Sequence, residues 1–406
     1  MKHLPFALVI VMATLFGCGP ISPACGDTHT ATTCGQSDVE SAISAASDGD
    51  TVEIPAGTCA WSSTVTITDR ELTIRGQSLT SPTITGKMVV SNDEGYTITL
   101  KDFKMIGAGY LLEINGGVKD FRVTNMTFIQ SSSYATVIWG DTHGVIDNCT
   151  YGPSTSGASA IYIGNAGTTD AYAEDSVLGT DDQVVIEDCT ITRSSHAGGT
   201  HAVWSDRGSS YTVRYCTIAG YELDVHGHCT TGGAREFEIY ENDIEILSGA
   251  SNKAWAVIRG GTGVIYDNRI ENNGTQADNT IHVQIRTMEV DDDADDCDAS
   301  TGGACHCCEY PCDYQLGRGK ANALKPVYIW DNVVNESTEG DRTAIWPTGS
   351  CAECNTECDT TLDPADFMEE DRDYYLGTEK SGYTPLTYPH PLVGNPTPEC
   401  FCSCGC

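Results

Sequence analysis

Val213-Arg-Tyr-Cys-Thr-Ile218, Ile239-Tyr-Glu-Asn-Asp-Ile244 and Ile265-Tyr-Asp-Asn-Arg-Ile270 are three copies of one phrase, each beginning 26 residues after the last. A copy starts and ends with an apolar residue and usually carries Asn, Asp or Glu at its third position. Related copies begin at Ile74, Leu100, Val123, Ile146, Ile186 and Ile329. Successive copies lie 23 to 64 residues apart. A period in the twenties that sometimes lengthens is typical of a solenoid with loops of variable size.

Apolar and polar positions alternate within the phrase, which indicates β-strand rather than helix. A repeat built of short strands and turns cannot bury a core alone, but it can stack on its neighbours at about 4.8 Å. We therefore predict an all-β fold, a parallel β-helix solenoid, right-handed because parallel crossovers take that hand. A β-sandwich is the alternative, disfavoured because Asn-Gly and Asp-Gly hairpin dipeptides are scarce between the strands.

Stacking superimposes equivalent residues of successive copies. The fourth position of the phrase becomes, in order, Cys149, Cys189, Cys216, Asn242, Asn268 and Asn332. This predicts a stack of thiols followed by an asparagine ladder at a turn. Neighbouring rungs are close enough for a disulfide, so bonded pairs and stacked free thiols both remain open.

The chain is strongly acidic. Its 406 residues include 22 Lys plus Arg against 57 Asp plus Glu, for a formal net charge of −35. Binding to nucleic acid is excluded on this basis, because phosphate contacts need a basic surface. An anionic ligand would need a local basic patch or bridging divalent cations. The 20 cysteines favour an oxidising compartment, and so an extracellular or cell-surface protein.

The N-terminus predicts export. Lys2 and His3 precede a mostly apolar run of 11 residues, Phe6 to Phe16, which is too short to span a bilayer. The run ends in Leu15-Phe-Gly-Cys18, which resembles a bacterial lipobox. We predict a signal peptide over 1–17, a lipidated Cys18 anchored in an outer-membrane or cell-surface lipid layer, and a tether over 18–35. Plain secretion is the alternative.

The first rungs carry a family resemblance. Residues 38–58 read as a short amphipathic helix, a Gly-Asp turn and a strand ending Ile-Pro-Ala-Gly-Thr, before Thr64-Val-Thr-Ile67 and Leu72-Thr-Ile-Arg-Gly76. This resembles the N-terminal cap of the pectin-lyase-like parallel β-helix superfamily. Stretches 256–268, 310–319 and 382–392 resemble uncharacterised secreted bacterial β-helix proteins. The resemblance implies a short N-terminal capping helix. It does not imply an activity, because that superfamily holds lyases, hydrolases, esterases, tailspikes and adhesins.

With the rungs, the resemblance predicts a solenoid over 36–335, with an Asp/Cys-rich insertion at 287–314. The repeat is lost over 336–406, which we predict to be an irregular, Cys-rich, disulfide-held cap and tail. Within the insertion, Asp291, Asp293 and Asp295 alternate as in Ca²⁺ loops, although the central Gly and final Glu of an EF-hand are missing. They predict a Ca²⁺ site or a solvated acidic loop.

A second column of strands lies between the copies of the phrase. Its rungs align as Glu113-Ile-Asn115, Val137-Ile-Trp139, Ile161-Tyr-Ile163, Ala202-Val-Trp204, Asp224-Val-His226, Val257-Ile-Arg259 and Gln284-Ile-Arg286. The middle residue is apolar or Tyr, so we predict that it points inward while its neighbours face outward on one sheet surface. Rungs stacked in order would bring the acidic, imidazole and guanidinium side chains within about three spacings, or ~15 Å.

These outward residues predict a site for an acidic polysaccharide. The catalytic candidates are His226 as proton acceptor, Asp224 to orient it, and Arg259 and Arg286 to neutralise a uronate carboxylate. Neutralising that carboxylate makes the α-proton acidic, as β-elimination requires. The substrate-binding candidates are Trp139, Trp204, His228, Arg235, His282 and Gln284, the tryptophans because their faces stack on sugar rings.

The sequence leaves the function class open. A polysaccharide lyase is favoured over a glycoside hydrolase, which would need two carboxylates about 5–10 Å apart, and Asp224 with Asp206 is the pair considered. A non-catalytic surface protein that binds glycans or adheres, or a structural envelope protein, is the alternative from a different class. The polymer and the oligomeric state are not determined by the sequence.

Overall fold

The structure is a computed structural model that describes residues 26–78, 81–93, 95–154, 158–165, 175–195, 199–228, 232–247, 254–273, 281–286, 314–346 and 368–394. The predicted Cys18 and the predicted Ca²⁺ site at Asp291, Asp293 and Asp295 lie outside the described residues. Within them, no helix is long and apolar enough to cross a membrane.

The described chain winds through three long sheets, with strands numbered in chain order. Sheet A contains β1 (Thr28–Thr30), β2 (Asp50–Ile54), β5 (Leu72–Gly76), β8 (Ile98–Lys101), β11 (Phe121–Thr124), β14 (Gly144–Asp147), β17 (Val184–Glu187), β20 (Ser210–Arg214), β25 (Glu236–Tyr240), β28 (Thr262–Tyr266), β31 (Val327–Trp330) and β34 (Tyr374–Leu376). Sheet B contains β3 (Thr58–Ala60), β6 (Thr83–Thr85), β9 (Lys104–Gly107), β12 (Thr127–Gln130), β15 (Thr150–Ser154), β18 (Thr190–Arg193), β21 (Thr217–Ala219), β26 (Asp243–Ile246), β29 (Arg269–Asn272) and β32 (Val333–Val334).

Sheet C contains β4 (Val65–Thr68), β7 (Met88–Ser91), β10 (Leu112–Asn115), β13 (Tyr134–Trp139), β16 (Ser159–Gly164), β19 (His201–Asp206), β22 (Glu222–Val225), β27 (Ala254–Ile258), β30 (His282–Arg286) and β33 (Thr343–Trp346). The short strands β23 (Gly227–His228) and β24 (Gly232–Gly233) pair antiparallel beside it. The helices are α1 (Gln36–Ala45), α2 (Pro391–Gly394) and two 3-10 turns at Lys320–Asn322 and Thr338–Asp341.

Consecutive rungs are joined by parallel pairing in all three sheets, for example β11 on β14, β12 on β15 and β13 on β16. The predicted all-β parallel β-helix is therefore confirmed, and the hand of its winding stays a prediction. Inward side chains such as Val123, Ile146, Ile186 and Val213 are fully buried and form one continuous apolar core. Alternation along each strand sends the other side chains outward, where any binding surface must lie.

The residue type at the third position of the repeated phrase follows from a requirement of the backbone. The residue there joins sheet A to sheet B with a positive φ of 52° to 54°, at Asn125, Asn148, Asp188, Tyr215, Glu241, Asp267 and Asp331. Left-handed backbone disfavours most side chains, and Asn and Asp tolerate it best. Five of these seven positions are Asn or Asp because the chain turns a corner there.

The asparagine ladder predicted at the next position is present. Asn242 Nδ2 donates to Asn268 Oδ1 at 2.9 Å, and Asn268 Nδ2 donates to Asn332 Oδ1 at 2.8 Å. Below it, Cys149, Cys189 and Cys216 are buried free thiols. Burial raises the pKa of the Cys189 and Cys216 thiols, so they remain protonated and unreactive at neutral pH.

The sheets extend beyond the predicted limits of the solenoid. β1 pairs with β2 before the predicted start at residue 36, and β33 and β34 pair with β30 and β31 after its predicted end at 335. Strands of three or four residues without the repeated phrase give little periodic signal, which is why the sequence missed them. The predicted capping helix is α1, which buries Val39, Ala42 and Ile43. A disulfide joins Cys34 to Cys59 beside it.

Residues 377–394, here called the C-terminal strap, run back across the outer face of sheet A. Arg214 Nη1 donates to Leu386 O at 2.6 Å, the His390 amide donates to Glu187 Oε1 at 3.0 Å, and Arg122 Nη1 donates to Leu392 O at 3.2 Å. The Tyr-Pro-His-Pro stretch at 388–391 belongs to this strap. It therefore covers part of sheet A, whereas the candidate residues lie on sheet C.

Candidate functional site

Two outward rows on sheet C carry the candidate residues. Strand pairing sets Tyr162, Trp204, Asp224, Val257 and Gln284 in one row. Two residues further along each strand, Trp139 pairs with Gly164 and Gly164 pairs with Asp206. The Arg259 amide donates to Val225 O, which continues this second row towards His226 and Arg259.

The predicted alignment was wrong at two rungs. Tyr162 points outward and not inward, and Trp204 pairs with Asp224 and not with His226. Tyr162 pairs with Val137 and not with Ile138, and because side chains alternate between faces, this one-residue slip exchanges inside for outside. Trp204 is displaced by two residues and therefore stays on the outer face. The alignment of Asp224, Val257 and Gln284 agrees with the observed register.

Four outward side chains form a compact group, here called the sheet-C cluster: His201, Asp224, His226 and Arg259. Arg259 Nη1 lies 2.7 Å from His226 Nε2, so the guanidinium donates to an unprotonated ring nitrogen. Arg259 Nη2 lies 3.7 Å from Asp224 Oδ2, and His201 Nε2 lies 3.3 Å from the same oxygen. Asp224 therefore ties an imidazole and a guanidinium together.

The cluster is enclosed. Asp224 is 1% exposed, His226 4%, and His201 and Arg259 6% each. Burial lowers the pKa of His201, with the charge of Asp224 opposing that shift. The neutral ring places Nε2–H towards the carboxylate, which leaves Nδ1 as the acceptor. Within the part of the chain that the structure describes, neither His201 Nδ1 nor Asp224 Oδ1 has a hydrogen-bond partner.

Aromatic rings lead from the cluster along the solenoid. The Trp204 ring centroid lies 4.6 Å from that of His226 and 5.5 Å from that of Tyr134. Tyr134 continues to Tyr110 at 6.3 Å. We call Tyr110, Tyr134 and Trp204 the aromatic row. Trp139 and Tyr162, whose centroids are 4.7 Å apart, lie alongside it.

Two tyrosine side chains that stay protonated at neutral pH lie beside the cluster. Burial raises the pKa of Tyr134 and of Tyr162, each with a further contribution from the charge of Asp206, so both phenols keep their protons at neutral pH. Tyr162 Oη donates to Asp206 Oδ1 at 2.6 Å. Burial also raises the pKa of Asp206, although the bond from Tyr162 opposes that shift. Asp206 thus holds Tyr162 in place beside the cluster.

The remaining predicted residues divide into two groups. The His228 ring lies 4.7 Å from that of His226, Gln284 is in the row of Asp224, and His282 pairs with Ala254 at the start of β27. Arg286 ends β30 on the same sheet. Arg235, in contrast, directly precedes β25 in sheet A, and its Nε donates to Ser210 Oγ. No group of three or more His, Cys, Asp or Glu among the described residues has an arrangement that would hold a metal ion.

Sequence reasoning missed His201, Tyr134 and Tyr162. His201 enters the cluster because the extra residue in β19 lets both His201 and Trp204 face outward. Tyr134 lies against Trp204 from the start of β13, two residues before Thr136, which pairs with β10. The available signal in β19 was one extra residue relative to β22, which a two-residue period alone does not reveal.

Comparisons with known proteins leave the family open. No protein-family model matches the chain, and no curated protein matches it. Among solved structures, the chain matches the crystal structure of an alginate lyase from Paenibacillus sp. str. FPU-7 with 14% sequence identity and a TM-score of 0.29. The match covers 66% of this chain and 96% of that one. Similarity at this level supports no argument about activity, which must come from the site itself.

Proposed function

We propose that the protein binds an acidic polysaccharide along the aromatic row and cleaves it by β-elimination at the sheet-C cluster. The observation that carries this proposal is the contact of Arg259 with both His226 and Asp224 directly beside Trp204. An aromatic face stacks on a sugar ring, and a guanidinium pairs with its carboxylate. Both requirements for recognising a uronate therefore meet within one cluster.

In the proposed reaction, Arg259 neutralises the uronate carboxylate and so acidifies the adjacent C–H. His201 Nδ1 takes that proton, and the C–H electrons form the ring double bond as the glycosidic C–O bond breaks. Asp224 holds the opposite ring nitrogen and stabilises the imidazolium that results. Tyr134, a neutral phenol, gives its proton to the departing oxygen. This assigns the base to His201, because Arg259 occupies Nε2 of the predicted acceptor His226.

The burial of the cluster favours a second candidate, a glycan-binding protein without catalysis. In that case Asp224, His226 and Arg259 serve only to hold Trp204 in place. The lyase requires that a sugar reach the cluster past Trp204 and His228, which are half-buried at its border. Polysaccharide is the ligand in both candidates.

Ultraviolet absorbance separates the two. Native protein is incubated with a panel of uronate polysaccharides, while the unsaturated product and the binding affinity are followed in parallel. We expect absorbance to rise, and to be lost in His201→Gln and Arg259→Lys at unchanged fold. His143→Gln is the matched control, because that ring also contacts a carboxylate but lies outside the cluster. Binding without absorbance would leave only the second candidate, and absence of both would refute both.

A further inference from the structure

A cavity separate from the sheet-C cluster lies at the far end of the aromatic row. It has a volume of about 300 Å³ and is bordered by the residues just before β4, β7 and β10. Its wall combines the rings of Trp61 and Tyr110, the hydroxyls of Ser63 and Thr64, and the ammonium of Lys87. We call this cavity the distal groove.

Hydrogen bonds to the N-terminal cap hold the wall of the distal groove in place. Trp61 is 6% exposed, and its Nε1 donates to Cys34 O at 3.0 Å, beside the disulfide that links Cys34 to Cys59. The Ser63 amide donates to the Gln36 side chain at 3.1 Å, which fixes the groove to α1. A wall tied to the N-terminal cap at several points presents a pre-formed surface, and such surfaces lose little entropy on binding.

Its chemistry matches that of an acidic sugar. Tyr110 is 38% exposed, an unusual exposure for a large ring in this chain. Lys87 Nζ lies 5.5 Å from the centre of that ring and 2.6 Å from Glu113 Oε2. Glu113 also accepts from Asn115, so the ammonium is held in place with donors to spare. The pair Lys87 and Glu113 adds no net charge, so it does not repel an anion as the rest of this acidic chain does.

The distance between the distal groove and the sheet-C cluster indicates how long a polymer must be to reach both. Tyr110 lies just before β10, and the paired strands β10, β13, β16, β19 and β22 make four steps from there to Asp224. At about 4.8 Å a step, this is ~19 Å. A pyranose unit in an extended chain advances by roughly one rung spacing, so about four sugars would connect the two places.

We infer that the distal groove is a subsite for the same acidic chain, in which a sugar ring stacks on Tyr110 and directs its carboxylate to Lys87. This inference rests on the proposed function and adds a substrate class to it, a linear uronate polymer of about five or more units. Shorter chains would occupy the cluster and leave the groove empty.

Affinities of oligomers of two lengths test this. Oligogalacturonates and oligomannuronates of about three and about eight units, chosen against the four-step separation, are titrated into native protein, Tyr110→Ala and Lys87→Met. We expect Tyr110→Ala to weaken binding of the long oligomers about tenfold, the loss of one stacking contact, and Lys87→Met to weaken it several-fold. Binding of the short oligomers stays unchanged. Lys104→Met, on sheet B, is the control with the same charge change.

The outcomes are distinct. If native protein binds both lengths and the variants weaken both equally or neither, the subsite is refuted while the proposed function stands. If native protein binds no uronate oligomer, the proposed function falls and the subsite falls with it. The melting temperature of each variant establishes that it is folded. Should Tyr110→Ala not fold, Lys87→Met decides the matter alone, since its side chain is half-buried and replaced by one of similar length.

Discussion

Acidification should loosen the C-terminal strap from sheet A, through His390. This residue is 1% exposed, and its Nδ1 accepts a hydrogen bond from the Leu392 amide at 3.2 Å. Protonation of Nδ1 would abolish that bond. Burial lowers the pKa of His390 to about 4, with Arg214 and Arg122 lowering it further and Asp181 and Asp147 opposing them.

The direction of the effect follows from this lowered pKa. A released strap binds a proton at the ordinary pKa of 6.5, whereas the docked strap does so only near 4. His390 therefore contributes fully to docking above pH 6.5, and its contribution is lost as the pH falls from 6.5 to 4. The difference of about 2.5 pKa units amounts to at most about 3.4 kcal/mol, or a change of about three hundredfold in the docking equilibrium.

Amide hydrogen exchange measures this directly. Protection of the strap amides, corrected for the intrinsic exchange rate, is compared at pH 7.5, 5.5 and 4.5 (values that start above the titration and cover most of it). We expect native protection to fall steeply across this range. His390→Asn keeps an acceptor near the Leu392 amide but cannot titrate, so its protection should stay level. Equal pH dependence in both proteins would refute the reasoning.

Three further substitutions test other parts of the structure by chemical denaturation. Arg214→Met should destabilise the protein by about 3–5 kcal/mol, because it leaves Glu187, whose side chain is fully buried, without the guanidinium that lies 2.6 Å away; an equal loss from a surface Arg would contradict this. Asn268→Ala should cost about 1–3 kcal/mol by interrupting the ladder, whereas Asn273→Ala, at an exposed position, should cost far less. Tyr162→Phe should cost about 1–3 kcal/mol, because it removes a bond to a buried carboxylate. An unchanged free energy of unfolding would show that the Tyr162 hydroxyl does not bond to Asp206.

Periodic features were predictable because stacking repeats a local pattern. The phrase around Asn242 and Asn268 sits at equal intervals, so the strands, the ladder and the stacking of the three cysteines could be derived from spacing alone. That these cysteines are free thiols was shown only by the structure. The inward and outward alternation at Asp224, Val257 and Gln284 was predicted correctly for the same reason. In regular rungs, the local alternation of side chains is enough to predict the register.

Features that depend on irregular rungs or on distant segments needed the tertiary structure. The additional residue in β19 brings His201 to Asp224, and no two-residue period announces it. The strap places Leu392 against Arg122, 270 residues earlier in the chain, by contacts that repeat nowhere. The sequence by itself determined a stacked parallel β-helix and most members of its sheet-C cluster, since both follow from local alternation. Only the tertiary structure decided which imidazole contacts Asp224 and which sheet the C-terminal strap covers. Both depend on the packing of segments whose separation the sequence does not constrain.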